Sequence, residues 1–126
     1  METNNSKATK EIAYQIRNNT QNGDFNANYD NFYADDVIAY EPEGNAFGVA
    51  RELKGRNAIA ERANGFHQMI DQVLSRTTSE PLIAGEYFTF HLRQEFMLKG
   101  IGYFQLDELC LFRVKDGKIV REEYFY

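Results

Sequence analysis

The chain has 126 residues, enough for one domain with a sizeable core, and a formal net charge of −5. Its 14 Lys and Arg are scattered rather than gathered into a stripe, which argues against a nucleic-acid partner. No apolar run approaches the roughly 20 residues that span a bilayer, and the single cysteine, Cys110, excludes an internal disulfide.

In chain order, residues 1–7 read as a flexible, polar N-terminus, and residues 8–126 as a single domain. The opening METNNSKATKE has no signal-peptide stretch, so a cytoplasmic location is expected. From about Lys7 to Gln21, Ala8, Ile12, Ala13 and Ile16 recur at helical spacing. Gly23 is a natural stop and Asp24 a natural N-cap for a second, shorter helix. Phe25, Tyr29, Phe32 and Tyr33 mark one face of it, and Asp35 and Asp36 break it. An apolar strand, Val37-Ile38-Ala39-Tyr40, then runs into Glu41 and is stopped by Pro42. Residues 42–55 read as a loop. Arg56 to about Asp71 predicts a third helix, with Ala58, Ile59, Ala63, Phe66 and Ile70 on its apolar face and Gly65 weakening its middle.

The second half changes period. Val73 to Ala84 is a strand interrupted at Pro81. Glu86 to Lys99 alternates, with Phe88, Phe90, Leu92, Gln94, Phe96 and Leu98 on one side. Tyr103 to Val114 alternates again, placing Phe104, Leu106, Glu108, Cys110, Phe112 and Val114 together. Asp116-Gly117 is a tight-turn signal before a last strand, Lys118 to Tyr126. The order predicts an α+β fold: a strongly curved antiparallel sheet wrapped around three helices, with a pocket between the layers.

Several of these stretches, in this order, form a pattern. They are Gly23-Asp24, Phe32-Tyr33-Ala34-Asp35-Asp36, Glu41-Pro42, Gly55-Arg56-Asn57-Ala58-Ile59 and Asp116-Gly117-Lys118-Ile119. Together they resemble the nuclear transport factor 2-like superfamily, and within it the SnoaL-like polyketide cyclases and ketosteroid isomerase. The resemblance covers roughly residues 8–126. It implies a cone-shaped, cystatin-like roll, usually dimeric, with a deep apolar pocket and no cofactor. It implies a fold more firmly than a reaction, because such folds host many functions. In ketosteroid isomerase the catalytic aspartate stands just before a proline at the end of the first strand, and the matching position here is Glu41. That enzyme also needs an oxyanion hole made by a tyrosine and a protonated aspartate. The matching positions here are Ile16 and Cys110, and Tyr14 lies on a different helical face. The base is matched and the oxyanion hole is not, which argues against steroid isomerase activity.

Each candidate has a structural reading beside a functional one. Glu41 is either a solvated loop carboxylate or a general base whose pKa is raised by an apolar pocket. Arg62 borders the apolar face of the third helix; it either orients an anionic substrate or pairs with Glu41, or it is exposed with its stem over the core. His67, beside Phe66, could reach the same pocket. Glu108 and Gln94 interrupt apolar strand faces, which fits a wet cavity or a position beyond the packed region. Cys110 reads as a small buried hydrophobe rather than a nucleophile. Phe88, Phe90, Leu92, Phe96, Phe104, Leu106 and Phe112 would form one concave apolar wall. His67 and His91 have no metal-ligand spacing, so no metal is expected.

The expected partner is therefore an apolar or amphipathic small molecule. The expected function is small-molecule binding, with cofactor-free isomerase, cyclase or dehydratase chemistry by proton transfer as its catalytic form. The alternative is a non-catalytic ligand-binding or dimerisation module. Tyr87, Met97, Tyr103, Leu109, Leu111 and Phe125 fall on the opposite side of the strands and predict a homodimer through the sheet's outer face.

Overall fold

A computed structural model of the chain describes residues 4–126, with side chains from Ser6 onward. The expectation of a flexible terminus lies, for residues 1–3, outside the described residues. Three helices and seven strands follow one another: α1 (Asn4–Gln21), α2 (Phe25–Phe32), β1 (Tyr33–Tyr40), β2 (Glu52–Lys54), α3 (Arg56–Gln68), β3 (Ile70–Thr78), β4 (Leu82–Ala84), β5 (Tyr87–Leu98), β6 (Gly102–Lys115) and β7 (Lys118–Phe125). The strands form one curved, open sheet in the order β2-β1-β7-β6-β5-β3, with β4 added beside β5. The α+β class is as expected, but the sheet is mixed rather than wholly antiparallel: β1 runs parallel to β7. Alternation of side chains is the same in either direction, and no short hairpin ties these two strands, so their relative sense left no mark in the sequence.

The helical boundaries have local causes. The chain leaves α1 through Gly23, whose φ of +77° suits a residue without a Cβ. Its N–H donates to the Thr20 carbonyl at 3.0 Å, and the Asp24 N–H to that of Asn19 at 2.8 Å. A Cβ on Gly23 would lie 2.6 Å from Arg76 Nη1, so space as well as backbone selects glycine. Asp24 occupies the N-cap of α2 but makes no side-chain capping bond. The break expected at Asp35 and Asp36 comes earlier. Tyr33 is already extended, with φ −85° and ψ 135°, and both aspartates lie inside β1, exposed at a register shift against β7. That irregularity lets two charges stay in water while Val37 and Ala39 turn inward. The expected loop at 42–55 contains the short strand β2, paired to β1. Helix α3 runs through Gly65 and stops at Gln68, before the expected Asp71, because the chain joins β5 from Ile70 onward.

The period-2 reading of the long strands matches the structure. Pairing between β5 and β6 is unbroken from Tyr87↔Arg113 to Leu98↔Gly102. Phe88, Phe90, Leu92, Gln94, Phe96 and Leu98 are all buried, while His91 and Arg93 are exposed. Asp116 and Gly117 both have positive φ, 52° and 75°, as a two-residue type I′ hairpin turn requires.

The core is densest at one end of the sheet. Phe88 stacks on Phe112 with ring centroids 4.8 Å apart, and Phe90 lies 5.7 Å from Phe112. Val114, Ile119, Val37 and Ala39 pack nearby with Ile12, Ala13 and Ile16 of α1. Each of the large side chains contributes on the order of 2–3 kcal/mol by leaving water. Toward the other end α1 reaches the concave face only with its last turn, at Thr20. The concave face there otherwise meets α2, α3 and the loop after β1, and it stays open.

Candidate functional site

That open end is a cavity of about 320 Å³. Its floor comes from β5 and β6, through Phe90, Leu92 and Gln94 and through Leu106, Glu108, Cys110 and Phe112. Helix α3 supplies Ile59, Arg62, Phe66 and His67, and α2 supplies Asn28 and Tyr29. All ten residues nominated from the sequence border it. Three other phenylalanines expected in the wall do not. Phe88 is buried in the packed end. Phe96 packs behind Phe66 at 5.8 Å, and Phe104 packs against Phe47 at 5.6 Å.

Glu41 stands at the rim because backbone and loop both fix it. Its N–H donates to the Arg51 carbonyl at 2.8 Å, and its own carbonyl accepts from Arg51 Nη1 at 3.1 Å. Pro42 then turns the chain. Asn45 holds the turn: its side-chain N–H groups donate to the carbonyls of Pro42 at 3.0 Å and Val49 at 2.8 Å, and its oxygen accepts from the N–H groups of Phe47 and Val49. The loop thereby lays Phe47 over the cavity mouth, where its ring meets Phe66 at 5.4 Å and Tyr126 at 5.7 Å. The Glu41 side chain is 15% exposed, with Oε1 3.5 Å from Arg62 Nη2. Its Oε2 accepts a hydrogen bond from the Tyr126 hydroxyl at 2.8 Å. Burial pushes the carboxyl above its ordinary range, and the Tyr126 bond and Arg62 pull it partly back.

Two further carboxylates face the same space. Glu122 is fully enclosed, and its Oε2 accepts from the hydroxyls of Tyr33 and, at 2.8 Å, Tyr124. Burial outweighs those two bonds and raises its pKa to about 7. Glu108 is pushed to about 8, by burial first and then by the charges of Glu41 and Glu122. Among the described residues no hydrogen bond or ion pair reaches it.

The remaining polar walls are quieter. Gln94 accepts from Arg76 Nε at 2.7 Å. His67 rests on the Phe25 ring at 4.6 Å, and burial followed by Arg76 lowers its pKa, favouring the neutral ring. Cys110 is buried, and burial raises its thiol well above the ordinary value, which suits packing rather than nucleophilic attack. Among the described residues no three His, Cys, Asp or Glu side chains come together in a way that would hold a metal ion. No described helix is long and apolar enough to cross a membrane.

Sequence reading missed Glu122, Tyr33, Tyr124, Tyr126 and Phe47. For Glu122 the reason is a bulge. Val114 pairs with Ile119 but Arg113 pairs with Arg121, so β7 carries one extra residue at Val120. Strict alternation from the inward Ile119 would turn Arg121 and Glu123 inward. The extra residue instead sets Glu122 opposite Phe112 and Tyr124 opposite Cys110, both facing the cavity.

The chain belongs to the SnoaL-like domain family, whose profile matches residues 7–126. No curated protein matches the sequence significantly. Among solved structures, a Mesorhizobium loti protein assigned as a SnoaL-like polyketide cyclase is 25% identical, with a TM-score of 0.82 over 92% of this chain and 97% of its own. A Catenulispora acidiphila protein with a ketosteroid isomerase-like fold, solved in complex with trimethylamine, is 18% identical. Its TM-score is 0.66 over 92% of this chain and 85% of its own. TerC, co-crystallised with polyporic acid, is 18% identical, with a TM-score of 0.71 over 94% of this chain and 91% of its own. The last two likenesses establish the shared fold.

Proposed function

We propose that this chain binds a small molecule with an apolar body in the cavity and moves a proton on it without a cofactor. The reaction class is isomerisation, cyclisation or dehydration through a carbon acid. One observation carries the reading: one of the cavity's carboxylates, Glu41, is held at the rim of the aromatic-walled space with its basicity raised by burial and an arginine beside it. Glu41 would take the proton from carbon. Arg62 would orient the adjoining oxygen and offset its developing charge. Phe66, Phe90 and Phe112 would hold the apolar body, with His67 and Gln94 at its flank. The small molecules found with TerC and with the C. acidiphila relative agree with a ligand-binding role for the fold.

The test is carbon–hydrogen exchange. 2-Tetralone in deuterated buffer, followed by proton NMR, should exchange faster with the protein than without it. Glu41→Gln should return the rate to that of buffer. Equal exchange with both proteins would refute the assignment of Glu41. A second reading, a ligand-binding module without catalysis, is favoured by one contact set: both Glu41 oxygens are already engaged, by Arg62 and Tyr126. Catalysis requires Tyr126 to give way. The outer face of the sheet exposes Tyr87, Tyr103, Leu109 and Phe125, and a homodimer through that face is part of the proposal.

A further inference from the structure

The arrangement of charge inside the cavity bears on the charge of its ligand. Of the three carboxylates that face it, two are satisfied from within the protein: Glu41 by Arg62 and Tyr126, and Glu122 by Tyr33 and Tyr124. Glu108 is not. It is 8% exposed, and among the described residues it has no hydrogen bond or ion pair. An unpaired carboxyl taken out of water is costly, and a hydrophobic residue would serve the strand better. The cost is intelligible if the missing partner arrives with the ligand.

We propose that the ligand of this cavity carries a protonated amine on its apolar body, and that Glu108 is the ionic partner of that amine.

Three observations select a cation over a neutral or anionic group. Arg62 is the single Lys or Arg among the described lining residues, so three carboxylates face one guanidinium. His67, from the same helix, is biased toward its neutral form. Glu108 is raised by Glu41 and Glu122, and Glu122 by Glu41, as well as by burial, the mark of a site short of positive charge. An anionic ligand would deepen that repulsion, and a neutral one would leave Glu108 protonated. A cation lets it ionise. The neighbouring surfaces are suitable: Glu108 pairs with Leu92 across β5, and Phe90 is its diagonal neighbour on the same face. Aromatic faces attract organic cations. A metal ion is the poorer candidate, since no described carboxylate group has the grouping to ligate one. The other titratable groups turned toward Glu108 are Tyr29 of α2, Cys110 of β6 and, after β7, Tyr126. All three are raised and stay neutral at neutral pH, so none supplies the missing charge.

This inference rests on the small-molecule reading of the cavity, and one experiment separates the two. Titration calorimetry at about pH 7 would compare 2-naphthylmethylamine, 2-naphthylmethanol and 2-naphthoate, in phosphate and in Tris. The amine should bind at least about tenfold more tightly than the alcohol, and the carboxylate most weakly. Amine binding should release close to one proton, read from the buffer dependence of the heat, as Glu108 ionises. Glu108→Gln should remove both the preference and the proton release while keeping the alcohol's affinity, which also reports that the variant is folded. The three probes on the unaltered protein decide the matter if the variant does not fold. Equal binding of amine and alcohol without proton release, or tightest binding of the carboxylate, would overturn the cationic assignment and leave the small-molecule reading standing. Binding of none of the three would remove both.

Discussion

Glu108→Gln should make the protein more stable at alkaline pH and leave it unchanged at acid pH. The Glu108 carboxyl is raised from an ordinary 4.5 to about 8 in the folded chain. Between those values the folded state holds a proton that the unfolded state has lost. Stability therefore falls as pH rises, by linkage. The full stabilising effect is present below about pH 4.5 and is gone above about pH 8. A rise of that size corresponds to about 4–5 kcal/mol across the window. The residue is 8% exposed, so solvent screening does not erase the effect. Glutamine has nearly the same shape and no charge to bury. Urea unfolding at intervals from about pH 5 to 9 would follow both proteins. Their free energies should agree near pH 5 and diverge toward pH 9, where the variant should be more stable by several kcal/mol. Taking the difference cancels the opposing contribution of His67, whose lowered pKa acts with the opposite sign. Parallel curves, or a variant less stable at pH 9, would show that Glu108 is solvated or paired, and would remove the basis for its role toward a ligand.

Glu41→Gln should alter stability by less than about 1 kcal/mol, because the neutral amide still accepts from Tyr126 and the Arg62 contact is long at 3.5 Å. A large fall in melting temperature would assign Glu41 to structure instead. Phe47→Ala should cost about 1–2 kcal/mol for a half-buried ring and should speed release of 2-naphthylmethanol by uncovering the mouth; an unchanged off-rate in stopped flow would show that the loop does not close it. Leu109→Glu, at a position 50% exposed on the outer face, should convert a dimer to a monomer in light scattering at micromolar concentration. A monomeric unaltered protein would dispose of the interface.

The uneven legibility of this sequence follows from where its chain is regular. β5 and β6 pair without a shift along their shared length, so alternation alone sorted Phe90, Leu92 and Gln94, and Glu108, Cys110 and Phe112, onto one face. Glu41 stood out because Pro42 follows an apolar strand. Phe47 did not, because a loop has no period, and its position depends on four hydrogen bonds made by the Asn45 side chain. The parallel sense of β1 and β7 was hidden for the reason given by their pairing: alternation has no direction.

β7 is the case with consequences for chemistry. Read by strict alternation, it would put Arg121 and Glu123 into the cavity. The residue added at Val120 turns them out. There they pair with each other at 2.6 Å, and Arg51 joins Glu123 at 3.6 Å. The same addition brings in Glu122 with Tyr124 as its hydrogen-bond donor, and Tyr33 supplies the second donor from β1. Were Val120 paired in register, Arg121 would stand on the cavity side opposite Phe112, and Glu123 opposite Cys110. With the bulge, Arg121 and Glu123 pair with each other outside, and Glu122, held by two tyrosine hydroxyls, takes the cavity side in place of Glu123. One backbone irregularity thus keeps a second arginine off the cavity side of the sheet. Deleting Val120 should leave these faces as they are: Arg121 would follow Ile119 directly and stay opposite Arg113, Glu122 would stay opposite Phe112, and the pH-dependent difference in stability between the protein and its Glu108→Gln variant should persist. Loss of that difference in a folded deletion variant would show that β7 had slipped in register and that the pairing beyond Val120 does not fix which side chains face the cavity.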